Sequence, residues 1–311
     1  MPTNPSLATK DPEILLNRIR VAFPDLDWKQ SIFIETGWDH EVIQLDERYI
    51  FRFPNSPEYL SVLRDEIKLL DYLGQHLSTA IPKYKYVSED YAFGGYAMLK
   101  GMSLERELFD EMSTSQQEKV AKQVAIFMTQ LHAVDIKDLS KFSIATEPDF
   151  AGYGDVSTEA KKYLEPNIRE ESYKQITGML TDIELLIKES QPTCLIHGDV
   201  APKHIIWSPE TEAIGVIDFS DRSISDPAYD FAELYSYGEA FVDKVYNSYQ
   251  SIHKNDRFLL RAKAFMKAIG IHSLANSYRT DKIQRKEAER LLGIGLRLDS
   301  NKIPRQIEYL D

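Results

Sequence analysis

Apolar residues recur at two different spacings along this chain, and the change from one to the other divides it. Residues 11–22 read as a short helix, with Asp11 as N-cap, Pro12 in the first turn and apolar positions at helical spacing. Three alternating runs follow at 31–35, 41–45 and 49–53, with a hairpin turn expected at Asp46-Glu47-Arg48. Residues 57–76 return to a helical period, with Leu60, Leu63, Ile67 and Leu70 on one stripe. Two more strands are expected at 83–88 and 91–99, separated by Glu89-Asp90. Past Gly101 the helical period dominates: 115–132, most of 156–189 with a break at Pro166, and nearly all of 228–299. Phe258, Leu259, Ala262, Phe265 and Ile269 form the stripe of the last stretch. Two short apolar runs, 194–196 and 214–217, interrupt this helical half. The pattern predicts an α+β, bilobal arrangement: a small β-rich lobe over 1–97, a joining segment at 98–103, and a larger helical lobe over 104–311. A cleft between two such lobes is where a ligand is expected.

At 311 residues the chain is long for one core and suits two lobes. Its single cysteine, Cys194, allows no intramolecular disulfide and suits a reducing compartment. The first twelve residues lack a signal-like apolar stretch, and no window approaches the ~18 apolar residues of a membrane span. A cytoplasmic protein with no membrane partner is therefore expected. The net charge of −12 and pI near 5.2 argue against nucleic acid as a partner. The same charge fits attraction of a cationic small molecule or plain solubility, and charge alone does not separate the two.

Chemistry concentrates at the two short apolar runs. The first leads into C-L-I-H-G-D-V-A-P-K-H-I-I-W (194–207) and the second into V-I-D-F-S-D (216–221). Phosphoryl transfer from a nucleotide needs a carboxylate to orient and deprotonate a hydroxyl, and ligands to hold Mg²⁺ on the phosphates. Asp199 is the candidate base; His204 and Asp218 are the candidate metal ligands. An imidazole prefers softer metals than Mg²⁺, so Asp218 is the stronger ligand of the pair. A turn and hairpin with acidic residues facing water is the plainer reading of either motif alone.

These residues resemble the aminoglycoside phosphotransferase superfamily, which shares the bilobal fold of protein kinases. The resemblance rests on H-G-D-V-A-P-K-H-I-I and V-I-D-F-S-D-R-S-I-S-D-P-A-Y-D-F-A, with G-W-D-H-E-V (37–42) and F-R-F-P (51–54) in the first lobe. Aminoglycoside 2''-phosphotransferases are the most similar subgroup, with macrolide 2'-phosphotransferases close behind; both share the histidine at 204, where most members carry asparagine. The resemblance implies a Mg²⁺-dependent enzyme using ATP or GTP, with an antibiotic as acceptor and resistance as a role. Gly37 and Trp38 would lie in the loop whose amides, over 36–39, cover the phosphates. Arg52 falls where kinases place a strand lysine against the α- and β-phosphates, and Glu66 is its expected ion-pair partner. Tyr96 to Lys100, Leu99 included, matches the segment that reads the base, and the bulk of Tyr96 would favour guanine over adenine. Asp226-Pro227 and Asp230 resemble a structural turn whose carboxylates cap helix N–H groups. Glu233, Tyr235, Tyr237 and Glu239 follow it and are the expected acceptor-binding residues, an acidic and aromatic set suited to ammonium groups. Two rivals share these motifs: a metabolic kinase acting on choline, homoserine or a sugar, and an inactive nucleotide-binding protein. A monomer or weak dimer is expected.

Overall fold

The computed structural model describes residues 11–34, 40–146, 156–189, 193–279 and 285–292. In chain order, α1 (Pro12–Ala22), β1 (Ser31–Ile34), β2 (His40–Leu45), β3 (Tyr49–Pro54), α2 (Pro57–Leu73), β4 (Tyr84–Val87) and β5 (Gly94–Ala97) build the first lobe. Its sheet is antiparallel with order β1-β2-β3-β5-β4. Asp46 and Glu47 both take positive φ (50° and 54°), the backbone that joins strands of right-handed twist through a tight hairpin. One face of α1, Leu15, Leu16 and Ile19, packs on Ile43, Leu45, Phe51, Phe53 and Phe93. The Ser56 side chain caps α2, as Asp11 caps α1. The inward stripe of α2 is Leu63, Glu66, Leu69, Leu70 and Leu73, one step round from the expected stripe. A carboxylate thus enters the interior among leucines.

The second lobe begins with β6 (Met102–Ser103), α3 (Arg106–Glu111), α4 (Thr114–His132), α5 (Ile136–Leu139) and α6 (Val156–Glu159). A π-helical turn, Ala160–Leu164, extends α6 and ends just before Pro166; α7 (Glu170–Ile187) follows. Then come β7 (Cys194–Ile196), β8 (Ile205–Ser208), β9 (Ala213–Val216), β10 (Ser223–Ser225), α8 (Glu239–Ser248), α9 (Phe258–Asn276) and α10 (Arg285–Leu292). A capping box between Ser113 and Gln116 starts α4, which buries Val124, Phe127, Met128 and Leu131. The expected continuous helix after 228 instead opens in 3-10 turns, Tyr229–Phe231 and Glu233–Tyr237, and Gly238 at φ +98° ends them. Only then does α8 start.

Two small sheets set the active region. β7 pairs with β10, and β8 lies between β6 and β9. The β6 pairing, Met102 with Trp207 and Ser103 with Ile206, ties the chain leaving the first lobe to the strand after the H-G-D motif. Gly101 makes this approach possible: it sits at φ +129°, and a Cβ there would lie 2.2 Å from the Trp207 carbonyl oxygen. A second tie is the Val216 N–H donating to the Ala80 carbonyl (2.9 Å). Neither β6 nor β10 was expected, because runs of two or three residues carry no period and exist through their pairing alone.

Replacing Gly101 with Ala should lower the unfolding free energy by about 2 kcal/mol or more, from backbone strain plus the clash with strand β8. Gly178, exposed in α7 with no atom near its would-be Cβ, is the control: Gly178→Ala should stabilise by about 0.4–1 kcal/mol. Urea unfolding of both variants checks the pair of opposite signs.

Candidate active site

The buried strand β7 delivers His197-Gly198-Asp199 into a turn held from behind. The His197 and Gly198 N–H groups donate to Asp230 Oδ2 and Oδ1, each at 2.9 Å. Asp230 Oδ2 also lies 3.0 Å from His132 Nε2, and His132 Nδ1 is 2.7 Å from the Tyr249 hydroxyl. His132 thus bridges Asp230 and Tyr249 through its two ring nitrogens. Burial pushes the Asp230 carboxyl up, but His132, His197 and the loop amide outweigh it and keep it below the ordinary value. Asp230 therefore caps the H-G-D loop itself and not a helix, unlike the expectation. Asp226 does hold a turn: it accepts the Ala228 N–H and is ion-paired at 2.6 Å with buried Arg261 of α9.

His197 welds the two motifs together. Its ring is fully buried; Nε2 donates to the Ile217 carbonyl (3.1 Å) and Nδ1 accepts the Asp199 N–H (3.2 Å). Both contacts require the neutral ring, in line with the downward shift that burial imposes. The Ile217 N–H donates in turn to the His204 carbonyl (3.0 Å). Gly198, at φ +86°, lies so close to the second loop that a Cβ would be 2.2 Å from the Asp221 carbonyl oxygen. This brings Asp199, His204 and Asp218 together. His204 Nδ1 is 2.9 Å from the Asp199 carbonyl oxygen and 3.2 Å from Asp199 Oδ2, and its Nε2 is 3.4 Å from Asp218 Oδ2. Asp218 takes φ +67°, a left-handed turn at the end of β9.

From the first lobe, Arg52 of β3 reaches the same point. One terminal nitrogen donates to Glu66 Oε1 (2.7 Å). The other contacts Asp218 Oδ1 (3.0 Å), the Ser220 hydroxyl (2.8 Å) and His40 Nδ1 (3.2 Å). The Tyr84 hydroxyl also donates to Glu66 Oε1 (3.1 Å). Burial opposes the Arg52 charge, yet Glu66, Tyr84 and Asp218 more than compensate and hold it above the usual arginine value. Burial likewise pushes the Asp218 carboxyl up; Arg52, His204 and the Ser220 hydroxyl reverse this and hold it well below the usual carboxylate range. His40 is pushed down to about 3, by burial first and by Arg52 second. Its Nδ1 accepts from Arg52, so Nε2 bears the proton, and that nitrogen has no hydrogen-bond partner among the described residues.

The remaining expected residues fall in different places. Tyr96 is buried in β5, edge-on to Tyr84 with ring centroids 5.1 Å apart. The Leu99 side chain fills the space beside Gly215 of β9, and the Met98 N–H is already taken by the Arg48 carbonyl (2.8 Å). Glu233 lies on the 3-10 turn among the charges near Lys203. Tyr237 is a core residue: its ring packs on Phe109 and Phe241 and its hydroxyl donates to the Leu104 carbonyl (2.5 Å). The expected presentation of that side chain to an acceptor is thus not what the structure shows, because the 3-10 turn rotates it inward. Tyr235 is half-buried with its hydroxyl 3.4 Å from the Leu259 carbonyl, and Glu239 is an exposed partner of Lys263 at the start of α8. Gly37 and Trp38 lie outside the described residues.

Sequence reasoning missed His40, Tyr84, Ser220 and Lys203. It also missed Arg222, which donates to the Phe219 carbonyl (3.0 Å) and to the Val62 carbonyl of α2 (3.2 Å). A basic residue inside an otherwise apolar or acidic motif was the available signal for Arg222 and Lys203; His40 offered none beyond adjoining the 37–39 run.

A family model described as the phosphotransferase enzyme family matches residues 32–262. Among solved structures, the GDP complex of wild-type aminoglycoside 2'-phosphotransferase-IIIa superposes with a TM-score of 0.74 at 24% identity, covering 91% of this chain and 98% of that one. The GDP and kanamycin complex of APH(2'')-IIIa gives 0.72 at 23%, covering 90% and 97%. The apoenzyme of macrolide 2'-phosphotransferase MphH from Brachybacterium faecium gives 0.63 at 18%, covering 90% and 97%. These likenesses establish the kinase-like fold of the chain.

The neutral burial of His40 has a consequence for acid stability. Its folded pKa lies below the ordinary histidine value of 6.5, so the unfolded chain takes up the proton first as pH falls. The contribution is complete above about pH 6.5 and is lost as pH drops toward 3. His40→Gln, which cannot titrate, should flatten the fall in unfolding free energy between pH 6.5 and 4 by on the order of 2 kcal/mol. Urea titrations at several pH values read this directly; parallel pH curves for the two proteins would contradict it.

Proposed function

The chain belongs to the phosphotransferase enzyme family, and from that premise we propose that it transfers the γ-phosphoryl group of ATP or GTP to a hydroxyl of a cationic, polyhydroxylated molecule of the aminoglycoside class. The observation that carries this reading is the convergence of Asp199, Asp218 and Arg52 from three segments onto one point. Asp199 is the base: it stands on a loop clamped by Asp230, and among the described residues its own carboxylate meets the Lys203 ammonium and the ring of His204. Held there, it orients the acceptor hydroxyl and takes its proton as the oxygen attacks phosphorus.

Arg52, oriented by Glu66, serves the α- and β-phosphates, and its planar fork suits phosphate oxygens. Tyr96 and the 98–103 segment, including Leu99, border the base. The donor set at Asp218 fits Mg²⁺, which takes one or two carboxylates and completes its shell from phosphate and water. Asp218 Oδ2 and His204 Nε2 would hold it; when bound, Mg²⁺ neutralises charge on the β- and γ-phosphates. Asp218 is ready for this because Arg52 and His204 keep it ionised.

The acceptor class is supported by the net charge of −12 and by Glu233 beside the cleft. It is supported too by a similar fold that binds kanamycin with GDP. Resistance to such an antibiotic, in the cytoplasm where nucleoside triphosphates are present, is the role that follows. Among the described residues, no helix is long and apolar enough to cross a membrane.

The test is Mg²⁺-dependent turnover of ATP and of GTP against aminoglycosides, macrolides, choline, homoserine and sugars. Stimulation by an aminoglycoside is expected. Asp199→Asn should lower kcat by about 10²- to 10⁴-fold with little change in nucleotide affinity. Near-native turnover in that variant would remove Asp199 from the role, and stimulation by a macrolide or a metabolite alone would overturn the acceptor class.

A further inference from the structure

Lys203 stands beside the proposed base, and its surroundings differ from those of an ordinary surface lysine. Its backbone is fixed: it sits in the 3-10 turn Pro202–His204, between a proline and a buried histidine, and its carbonyl accepts the Ser103 hydroxyl at 2.9 Å. Ser103 belongs to β6, so the strand that ties the lobes also fixes the root of this side chain. The ammonium lies 3.6 Å from Asp199 Oδ2 while 60% of the side chain remains exposed. That separation is longer than a direct N–H···O bond, so the head is held near the carboxylate without being locked to it. Asp199, Glu233, Asp218 and Asp221 all act on the ammonium through their charge. These four carboxylates come from three separate stretches of chain.

Arg52 cannot supply the charge needed at this end of the cleft. Its terminal nitrogens are anchored by Glu66 on one side and by Asp218, Ser220 and His40 on the other, which fixes the guanidinium for the α- and β-phosphates and keeps it from following the terminal group. A triphosphate whose terminal group approached Asp199 would meet carboxylates on several sides. Among the described residues, Lys203 places an ammonium 3.6 Å from Asp199 Oδ2.

We propose that Lys203 is a further catalytic residue, whose ammonium binds the non-bridging oxygens of the phosphoryl group as it passes from the nucleotide to the hydroxyl on Asp199. This rests on the kinase reading given above. In the step, the acceptor oxygen forms a bond to the γ-phosphorus and the bond from that phosphorus to the β–γ bridging oxygen breaks. The bridging oxygen keeps the electron pair and leaves on the nucleoside diphosphate, and the hydroxyl proton passes to Asp199. Lys203 stays an ammonium throughout. As a compact charge with three rotatable donors on a four-carbon stem, it can follow the phosphoryl oxygens as the group flattens. Its neighbour Asp199 is then relieved of Lys203 at the moment it receives a proton.

The experiment uses the full chain with Mg²⁺ and two probes: a non-hydrolysable triphosphate analogue and the matching diphosphate, titrated calorimetrically. Wild type, Lys203→Met and Lys203→Arg are compared, with nucleotide hydrolysis by water as the rate. Lys203→Met should lose about tenfold in affinity for the triphosphate, equivalent to about 1.4 kcal/mol, and leave the diphosphate unaffected. Its hydrolysis rate should fall by about 10²-fold, with Lys203→Arg recovering part of both. Thermal midpoints should not move, since the side chain packs in no core. Equal loss for both nucleotides, or no loss with an unchanged rate, overturns the role of Lys203 while the kinase reading stands. A wild-type protein that binds neither nucleotide overturns the kinase reading, and this inference with it.

Discussion

A buried guanidinium is the constraint on which the rest depends. Arg52 leaves β3 with 7% of its surface exposed and meets Glu66 from α2 and Asp218 from the end of β9. A charge so placed is costly unless paired, and removing one partner of such a pair costs about 3–5 kcal/mol. The sheet, the helix and the second motif loop must therefore be in register before the charge is satisfied. Arg222 repeats the tie a short distance away by donating to carbonyls of both the loop and α2. The ionised state of Asp218 follows from the same contact, so the interaction that joins the lobes also holds that carboxylate charged.

The opposite side of the cleft is rigid for a different reason. Asp230 accepts two backbone amides of the H-G-D loop, and His132 and Tyr249 back it in a chain of buried hydrogen bonds. Each polar group in that chain has a partner, which is the condition under which a buried network stiffens a fold. His197 then fastens this loop to the next by contacts that only a neutral imidazole can make. Asp199 is held by its neighbours' backbones while its own carboxylate faces the cleft. Fixed main chain behind a carboxylate is the geometry that the proposed proton abstraction needs.

Much of this was legible in the sequence, and the parts that were not share a cause. The N-cap of α1, the β2–β3 hairpin and the two-lobe division follow from local pattern, and the approach of Glu66 to Arg52 was expected from the family resemblance. The grouping of Asp199, His204 and Asp218 was legible because loop chemistry fixes their spacing along the chain. Tyr237 was misread as a pocket residue because an acidic, aromatic stretch looks the same whether its rings face a ligand or Phe109. The part played by Asp230 was misplaced for a similar reason: whether its acceptors reach a helix or a loop depends on a strand distant in sequence. His40, Ser220 and Tyr84 matter only because the fold carries them to Arg52, and no period or motif marks such residues. Strands β6 and β10 exist through pairing across the molecule and leave no local trace.

The central claim is that Arg52 and Asp218 act as one unit in receiving a metal-bound nucleotide. The direct measurement is a double-mutant cycle on Mg²⁺-nucleotide affinity with Arg52→Met, Asp218→Asn and the two combined. If the residues are one unit, the double variant binds no worse than the weaker of the singles, a coupling of about 0.5–3 kcal/mol. Losses that simply add would show two independent contributions and would contradict the account.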